Sequence, residues 1–210
     1  MRFFHYIWDF DGTLFDSYPH IVWALGAALG DFGVTEPAGS LLPWLKQSVT
    51  RAVGHFAQIY SLDSPALRER YDFYEAHDLA RCPVVPYDGA RDVCRAITRR
   101  GGQNFLYTHR GVSATAYLRQ FGMDGLFAGA VTADDGFPPK PAPDAIRHLL
   151  AAYGLDGGRT LMVGDREIDV TAGTNAGVSG CLFDPDGFYR DFPAACTVRS
   201  FPEFADRFLK

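Results

Sequence analysis

The 210-residue chain is 47% hydrophobic and 21% charged, which buries a sizeable core and excludes both a disordered chain and a small disulfide-stapled scaffold. Its net charge of -5, with no basic block, excludes the many phosphate contacts of nucleic-acid binding. Cys82, Cys94, Cys181 and Cys196 show no metal or redox spacing and follow no secretory leader, so they are expected reduced and mostly buried in a cytoplasmic protein. The longest apolar run, Ile21 to Leu29, is broken by Gly26 and falls short of the roughly 20 residues that span a bilayer, so no membrane partner is expected.

In chain order, the run FFHYIW leading into DFDGT predicts a buried parallel strand over 3–9 that delivers polar residues at its carboxyl end. Ile21, Leu25, Ala28, Leu29 and Phe32 recur at helical spacing and Gly33 ends that segment. Further helices are expected over 41–46, over 49–60 and from Ser64, where serine caps and Pro65 occupies the first turn. Trp23, Trp44, Phe56, Tyr71, Phe73 and Tyr74 are expected to form this block's own core. The proline-punctuated PVVPYDGA then changes the texture to alternating helix and strand. Helices are predicted at 88–100, 113–121, 142–153, 167–175 and from Pro202, and strands at 103–108, 128–132, 160–165, 179–184 and 196–198. The expected fold class is α/β, a doubly wound parallel sheet with a four-helix insertion after its first strand. The core then comprises 1–14 and 84–210 and the insertion 15–83.

In such sheets ligands bind at the carboxyl ends of the strands. Four of these ends carry reactive side chains: Asp9 and Asp11, Thr108, Lys140 before a helix, and Asp165 with Asp169 one turn on. Singly, each has an ordinary structural reading as a turn acid, a helix cap or a surface lysine. Jointly, at one edge of one sheet, they describe a site. Two carboxylates on one turn and a third from a neighbouring strand suit Mg²⁺. A metal, a lysine and a hydroxyl around a carboxylate nucleophile are what phosphoryl transfer through an aspartyl-phosphate requires.

DFDGTLFDS, YTHR, KPAPD and GDREID resemble the four successive motifs of the haloacid dehalogenase-like superfamily, in its phosphoglycolate phosphatase-like branch with a helical cap. That resemblance covers nearly the whole chain. It implies a Rossmann-like core, Asp9 as nucleophile, Asp11 as general acid and base, Thr108 as ligand to a phosphoryl oxygen and Lys140 as the charge-neutralising ammonium. It also implies Asp165 as a magnesium ligand with Asp169 beside it, the metal's protein ligands being completed by Asp9 and the backbone carbonyl of Asp11. A dehalogenase needs neither a metal nor a leaving-group acid, so Asp11 favours a phosphatase.

Where the family more often has a small polar residue after the threonine, His109 and Arg110 follow here, and both are expected to contact substrate. The cap contributes Lys46 and Arg51 as further substrate-binding candidates, with His55 one turn from Arg51. Leu14 and Phe15 at the first tether are expected to shape the leaving-group pocket. His5, His20, His77 and His148 lack ligand spacing. The expected activity is Mg²⁺-dependent hydrolysis of small phosphate monoesters by a monomer or weak homodimer. The alternatives are a phosphosugar mutase of the same fold and a silent phosphometabolite-binding module.

Overall fold

The computed structural model describes residues 3–77, 81–189 and 192–210. The chain divides into two compact units, Met1–Phe15 with Pro86–Lys210, and Asp16–Val85. The first begins with β1 (His5–Trp8), and the two-residue strands β2 (Phe15–Asp16) and β3 (Val85–Pro86) pair where the chain leaves and re-enters it. Between them run α1 (Tyr18–Gly30), α2 (Ala38–Gln47), α3 (Val49–Tyr60) and α4 (Ser64–Ala76). After β3 the chain alternates through α5 (Ala90–Arg99), β4 (Gln103–Tyr107), α6 (Ser113–Gln120), β5 (Phe127–Val131), α7 (Asp144–Tyr153), β6 (Thr160–Gly164), α8 (Glu167–Asn175), β7 (Ser179–Phe183), β8 (Cys196–Val198) and α9 (Phe201–Phe208).

The large sheet has the order β5-β4-β1-β6-β7-β8, and every adjacent pair is parallel. β1 is therefore central, with the chain moving out to one side through β4 and β5 and to the other from β6 onward. That reversal of direction beside β1 is the topological switch point at which an open α/β sheet forms its ligand crevice. The ladder reaches beyond β1 at both ends, since Phe4 N–H donates to Arg159 C=O and Asp9 N–H to Val163 C=O, each at 2.9 Å.

Both faces of the sheet are covered, which is why β1 and β6 read as nearly continuous apolar runs rather than as alternation. One face packs Ile7, Phe105, Tyr107 and Met162 against Ala145, Ile146 and Leu149 of α7 and Ala172 of α8. The other is aromatic: Trp8 lies 4.9 Å from Phe204 and 5.8 Å from Phe201 between ring centroids, and Tyr6 lies 5.8 Å from Phe204. The buried Trp8 indole donates to Asn104 Oδ1 at 3.0 Å, and Asn104 Nδ2 donates to the carbonyls of Cys94 and Leu126. The Trp8 indole and the Asn104 amide are thus both hydrogen-bonded within that face.

The Asp16–Val85 unit has its own core, in which Leu25, Leu29, Leu41, Leu45, Phe56, Leu67 and Tyr71 are buried and Trp23, Trp44 and Tyr74 pack against them. Phe73 departs from expectation, because α4 turns it outward at 47% exposure, against Arg70 and His77. α4 is capped by Asp63, whose carboxylate accepts from Ala66 N–H at 2.9 Å, and not by Ser64, which lies within the helix. Ser113 lies inside α6: Val112 precedes it, and Val112 N–H donates to Asp134 at 2.8 Å. Cys94, Cys181 and Cys196 are buried and Cys82 is half-buried. Among the described residues no helix is long and apolar enough to cross a membrane.

Candidate active site

The exits of β1, β4 and β6 and the segment leading into α7 bring eight of the sequence-derived residues together in the first unit. Asp9 leaves β1 fully buried, followed by a loop closed by Phe15 N–H to Phe10 C=O at 3.0 Å and Gly12 N–H to Phe15 C=O at 2.8 Å. Gly12 takes φ +71, the left-handed conformation that lets the chain reverse there. Asp165 leaves β6, and Asp169 projects from the first turn of α8 back toward that strand end. Gly164 makes the approach possible, because a Cβ at this position would fall 2.2 Å from Asp169 Cβ.

The Lys140 ammonium is fully buried and bridges two of these acids, donating to Asp9 Oδ1 at 2.5 Å and to Asp169 Oδ1 at 2.6 Å. It also lies 4.6 Å above the Tyr107 ring. Asp169 Oδ2 accepts from Arg166 N–H at 3.0 Å, so both oxygens of that carboxylate are engaged. The Arg166 side chain approaches Asp165 Oδ1 at 3.9 Å, and Thr13 Oγ1 lies 3.5 Å from Asp9 Oδ2.

Burial pushes the Asp9 carboxyl up to about 7, and Lys140 only partly offsets it while Asp169 adds to it. Burial acts the same way on Asp169, but the charges of Lys140 and Arg166 outweigh it and hold that carboxyl below its usual range. Lys140 is itself raised: burial pulls it down, but Asp169 and Asp9 more than compensate. Asp9, Asp165 and Asp169 each offer an oxygen within 4.8 Å of the others. Three buried carboxylates facing one buried ammonium form a hard-oxygen donor set with an excess of negative charge, which fits a divalent cation such as Mg²⁺.

The Asp11 carboxylate is not part of that three-acid group and is held by Arg110, whose Nη2 donates to Oδ1 at 2.9 Å and whose Nε lies 3.2 Å from both oxygens. Thr108, buried at the end of β4, accepts Arg110 N–H at its hydroxyl at 3.0 Å. His109 Nε2 accepts from Lys140 N–H at 2.8 Å, so this nitrogen is unprotonated and the ring proton sits on Nδ1. Desolvation of the ring, with the charges of Lys140 and Arg166, pushes His109 down to about 4 and keeps it in that neutral acceptor form. His109 thereby fixes the backbone of the segment that presents Lys140.

Lys46 and Arg51 belong to the other unit. Lys46, buried near the end of α2, has its ammonium 4.3 Å above the Tyr18 ring. Arg51 is exposed on α3 and donates to Gln47 at 3.2 Å, and neighbouring His55 stacks on Trp44 at 3.7 Å between centroids. His20 is also buried here, its Nε2 2.9 Å from the Glu75 carbonyl. Sequence reasoning missed Thr13, Tyr107, Arg166 and Asp134. The first three adjoin motif residues, but the contact of Asp134 with the β4 exit leaves no local sequence signal.

The fold and this carboxylate and lysine cluster are those of a hydrolase built on a doubly wound sheet. The family model described as haloacid dehalogenase-like hydrolase matches residues 6–183, and the chain belongs to that family. It is 27% identical over 213 residues to the Pyrophosphatase PpaX of Halalkalibacterium halodurans, covering 95% of this chain and 94% of that protein. It is 25% identical over 214 residues to a Phosphoglycolate phosphatase of Pasteurella multocida, covering 90% and 95%. The solved structure of a HAD-superfamily hydrolase, subfamily IA, from Geobacter sulfurreducens PCA superposes with a TM-score of 0.74 at 22% identity, covering 98% of this chain and 96% of that one. The chain is thus an enzyme of the hydrolase class with relatives named as phosphatases.

Proposed function

We propose that the protein is a Mg²⁺-dependent phosphatase that hydrolyses small phosphate monoesters through an aspartyl-phosphate on Asp9. The observation that carries this reading is the buried Asp9 carboxylate, held at 2.5 Å by the Lys140 ammonium inside a three-carboxylate cluster at the switch point of the sheet. A phosphate monoester dianion repels an anionic nucleophile, so positive charge must be in place before the attack. Lys140 supplies part of it, and its second anchor on Asp169 keeps the ammonium from drifting as Asp9 becomes phosphorylated. Asp9, Asp165 and Asp169 would hold Mg²⁺, with the backbone carbonyl of Asp11 as a further ligand. Bound there, the metal supplies charge neutralisation at the phosphoryl oxygens.

Asp9 attacks phosphorus in line as the bond to the leaving oxygen breaks, and Asp11, which must enter this step protonated, gives that oxygen its proton and is left as the carboxylate. Asp11 then takes a proton from the water that cleaves the acyl phosphate. The Thr108 hydroxyl and the His109 amide contact phosphoryl oxygens. Lys46 and Arg51 of the helical unit are the further candidates for contact with the rest of the substrate. The near-complete overlap with relatives named for phosphoglycolate and pyrophosphate supports a small phosphorylated metabolite as substrate.

The test is phosphate release from a panel of small phosphate esters. Asp9→Asn should lower turnover at least about a thousandfold, roughly 4 kcal/mol in the barrier, and chelation should silence the wild type until Mg²⁺ is returned. More than a tenth of wild-type activity in Asp9→Asn removes Asp9 as nucleophile. A mutase would instead keep its phosphate in the organic pool, and a silent binding module would release none.

A further inference from the structure

The contact between Arg110 and Asp11 joins two strand exits 99 residues apart in sequence, and the reaction scheme above gives it no task. We infer that Arg110 is the positioning residue for the leaving-group acid: its guanidinium sets the plane and direction of the Asp11 carboxylate. Resting on the aspartyl-phosphate reading, this assigns a role in proton delivery to a side chain that the motif pattern would place against substrate.

Asp11 needs such a partner. It sits on a tight loop with its side chain 25% exposed, and the terminal torsion of an aspartate is broad. The loop backbone alone therefore leaves the carboxylate free to swing. A proton donor must come within about 2.6–3.2 Å of the leaving oxygen, and a misplacement near 1 Å costs about a hundredfold in rate. Arg110 removes that freedom because three donor contacts, at 2.9, 3.2 and 3.2 Å, engage both carboxylate oxygens at once.

The guanidinium is in turn held from below and from behind. Its side chain is only 10% exposed and lies over the rings of Phe10 at 5.5 Å and Tyr117 at 5.9 Å. Those rings belong to a continuous shelf, Phe10 stacking on Phe15 at 4.3 Å and Tyr117 packing 5.8 Å from Phe10. The Arg110 backbone is pinned on both sides, its N–H to Thr108 Oγ1 at 3.0 Å and its C=O to Ala133 N–H at 3.1 Å. Thr108 and Asp11 are thereby kept in fixed relation through one residue, so the group that meets the phosphoryl oxygen and the group that meets the leaving oxygen share a mount. A lysine would keep the charge but not the planar fork.

The experiment measures kcat and KM of wild type, Arg110→Met, Arg110→Lys, Asp11→Asn and the Asp11→Asn/Arg110→Met double variant, with Mg²⁺, on phenyl phosphate and 4-nitrophenyl phosphate. These substrates are alike in shape but differ in how much the leaving oxygen needs a proton. Arg110→Met should lose about tenfold or more in kcat on phenyl phosphate, a fraction of the 10²–10⁴ that general acids contribute, and under about threefold on 4-nitrophenyl phosphate, with KM little changed. Arg110→Lys should show the same bias in milder form, and it carries the comparison if the methionine variant does not fold. In the Asp11→Asn background the Arg110 substitution should leave the substrate ratio unmoved, because its effect passes through Asp11.

Three results would overturn the inference: a KM raised about tenfold with the substrate ratio unchanged, which makes Arg110 a substrate ligand; equal losses on both substrates with a lower Tm, which makes it structural; or a ratio that still shifts when Asp11 is absent. If wild type turns over neither substrate, or Asp11→Asn shows no bias between them, the phosphatase reading or the acid assignment fails instead.

Discussion

Replacing Asp9 with asparagine should stabilise the metal-free protein while destroying its activity, and the effect should depend on pH. Asp9 is fully buried, and its carboxyl is raised from 3.8 to about 7 by that burial, against the pull of Lys140. Below about pH 4 the group is neutral in the folded and the unfolded chain alike. Between there and about 7 the folded chain keeps a proton that the unfolded chain has released, so stability falls as pH rises through that window and the loss is complete above it. At about 1.4 kcal/mol per pH unit the deficit is of the order of 4 kcal/mol at pH 8. Asparagine imitates the neutral form but gives up part of the 2.5 Å contact with Lys140, so the net gain should be smaller than that deficit. For a chain of this length about 1 kcal/mol moves Tm by about 2–4 °C. Thermal melts in a chelating buffer should therefore place Asp9→Asn several degrees above wild type at pH 8, with the gap closing toward pH 4. Adding Mg²⁺ should narrow the gap at pH 8 by stabilising the wild type preferentially. A variant that melts at or below the wild type at pH 8 without metal would refute the reasoning, since the buried charge would then be fully compensated.

Lys140→Met removes the ammonium from between Asp9 and Asp169 and leaves two buried carboxylates facing each other. Breaking such a buried pair costs about 3–5 kcal/mol, and a fall in Tm of less than about 2 °C in metal-free buffer would count against it. Gly164→Ala would place a Cβ 2.2 Å from Asp169 Cβ. Overpacking of this kind costs about 1–3 kcal/mol, and the displaced Asp169 should weaken Mg²⁺ binding as read by calorimetry. An alanine variant with wild-type Tm and metal affinity would show that α8 yields freely.

Much of the candidate site was legible because its residues sit at strand ends. An apolar run that stops at a polar turn announces both the strand and what it presents, as at Trp8 to Asp9 and Gly164 to Asp165. Helix starts were less legible, because the capping group is chosen by geometry among adjacent candidates. Asp63 and Ser64 are both good caps by composition, and only the backbone conformation at Asp63 decides between them. Phe73 was misjudged for a related reason: helical spacing locates a face only approximately, and α4 is polar enough that one aromatic on it can remain outside.

The sequence by itself determined the succession of strands and helices, the insertion after the first strand and the chemical types gathered at the sheet edge, because periodicity and turn chemistry are local properties of the chain. The tertiary structure alone decided who pairs with whom. Lys140 meets Asp9 across 131 residues and Asp169 across 29, and Arg110 meets Asp11 across 99. These partnerships depend on β4, β1 and β6 lying side by side in a given register and on each long side chain having one direction in which its charge is compensated. Nothing in the spacing of the motifs distinguishes an arginine that grips a substrate from one that grips a neighbouring carboxylate, since the two demand the same guanidinium and differ only in which anion the fold brings within reach.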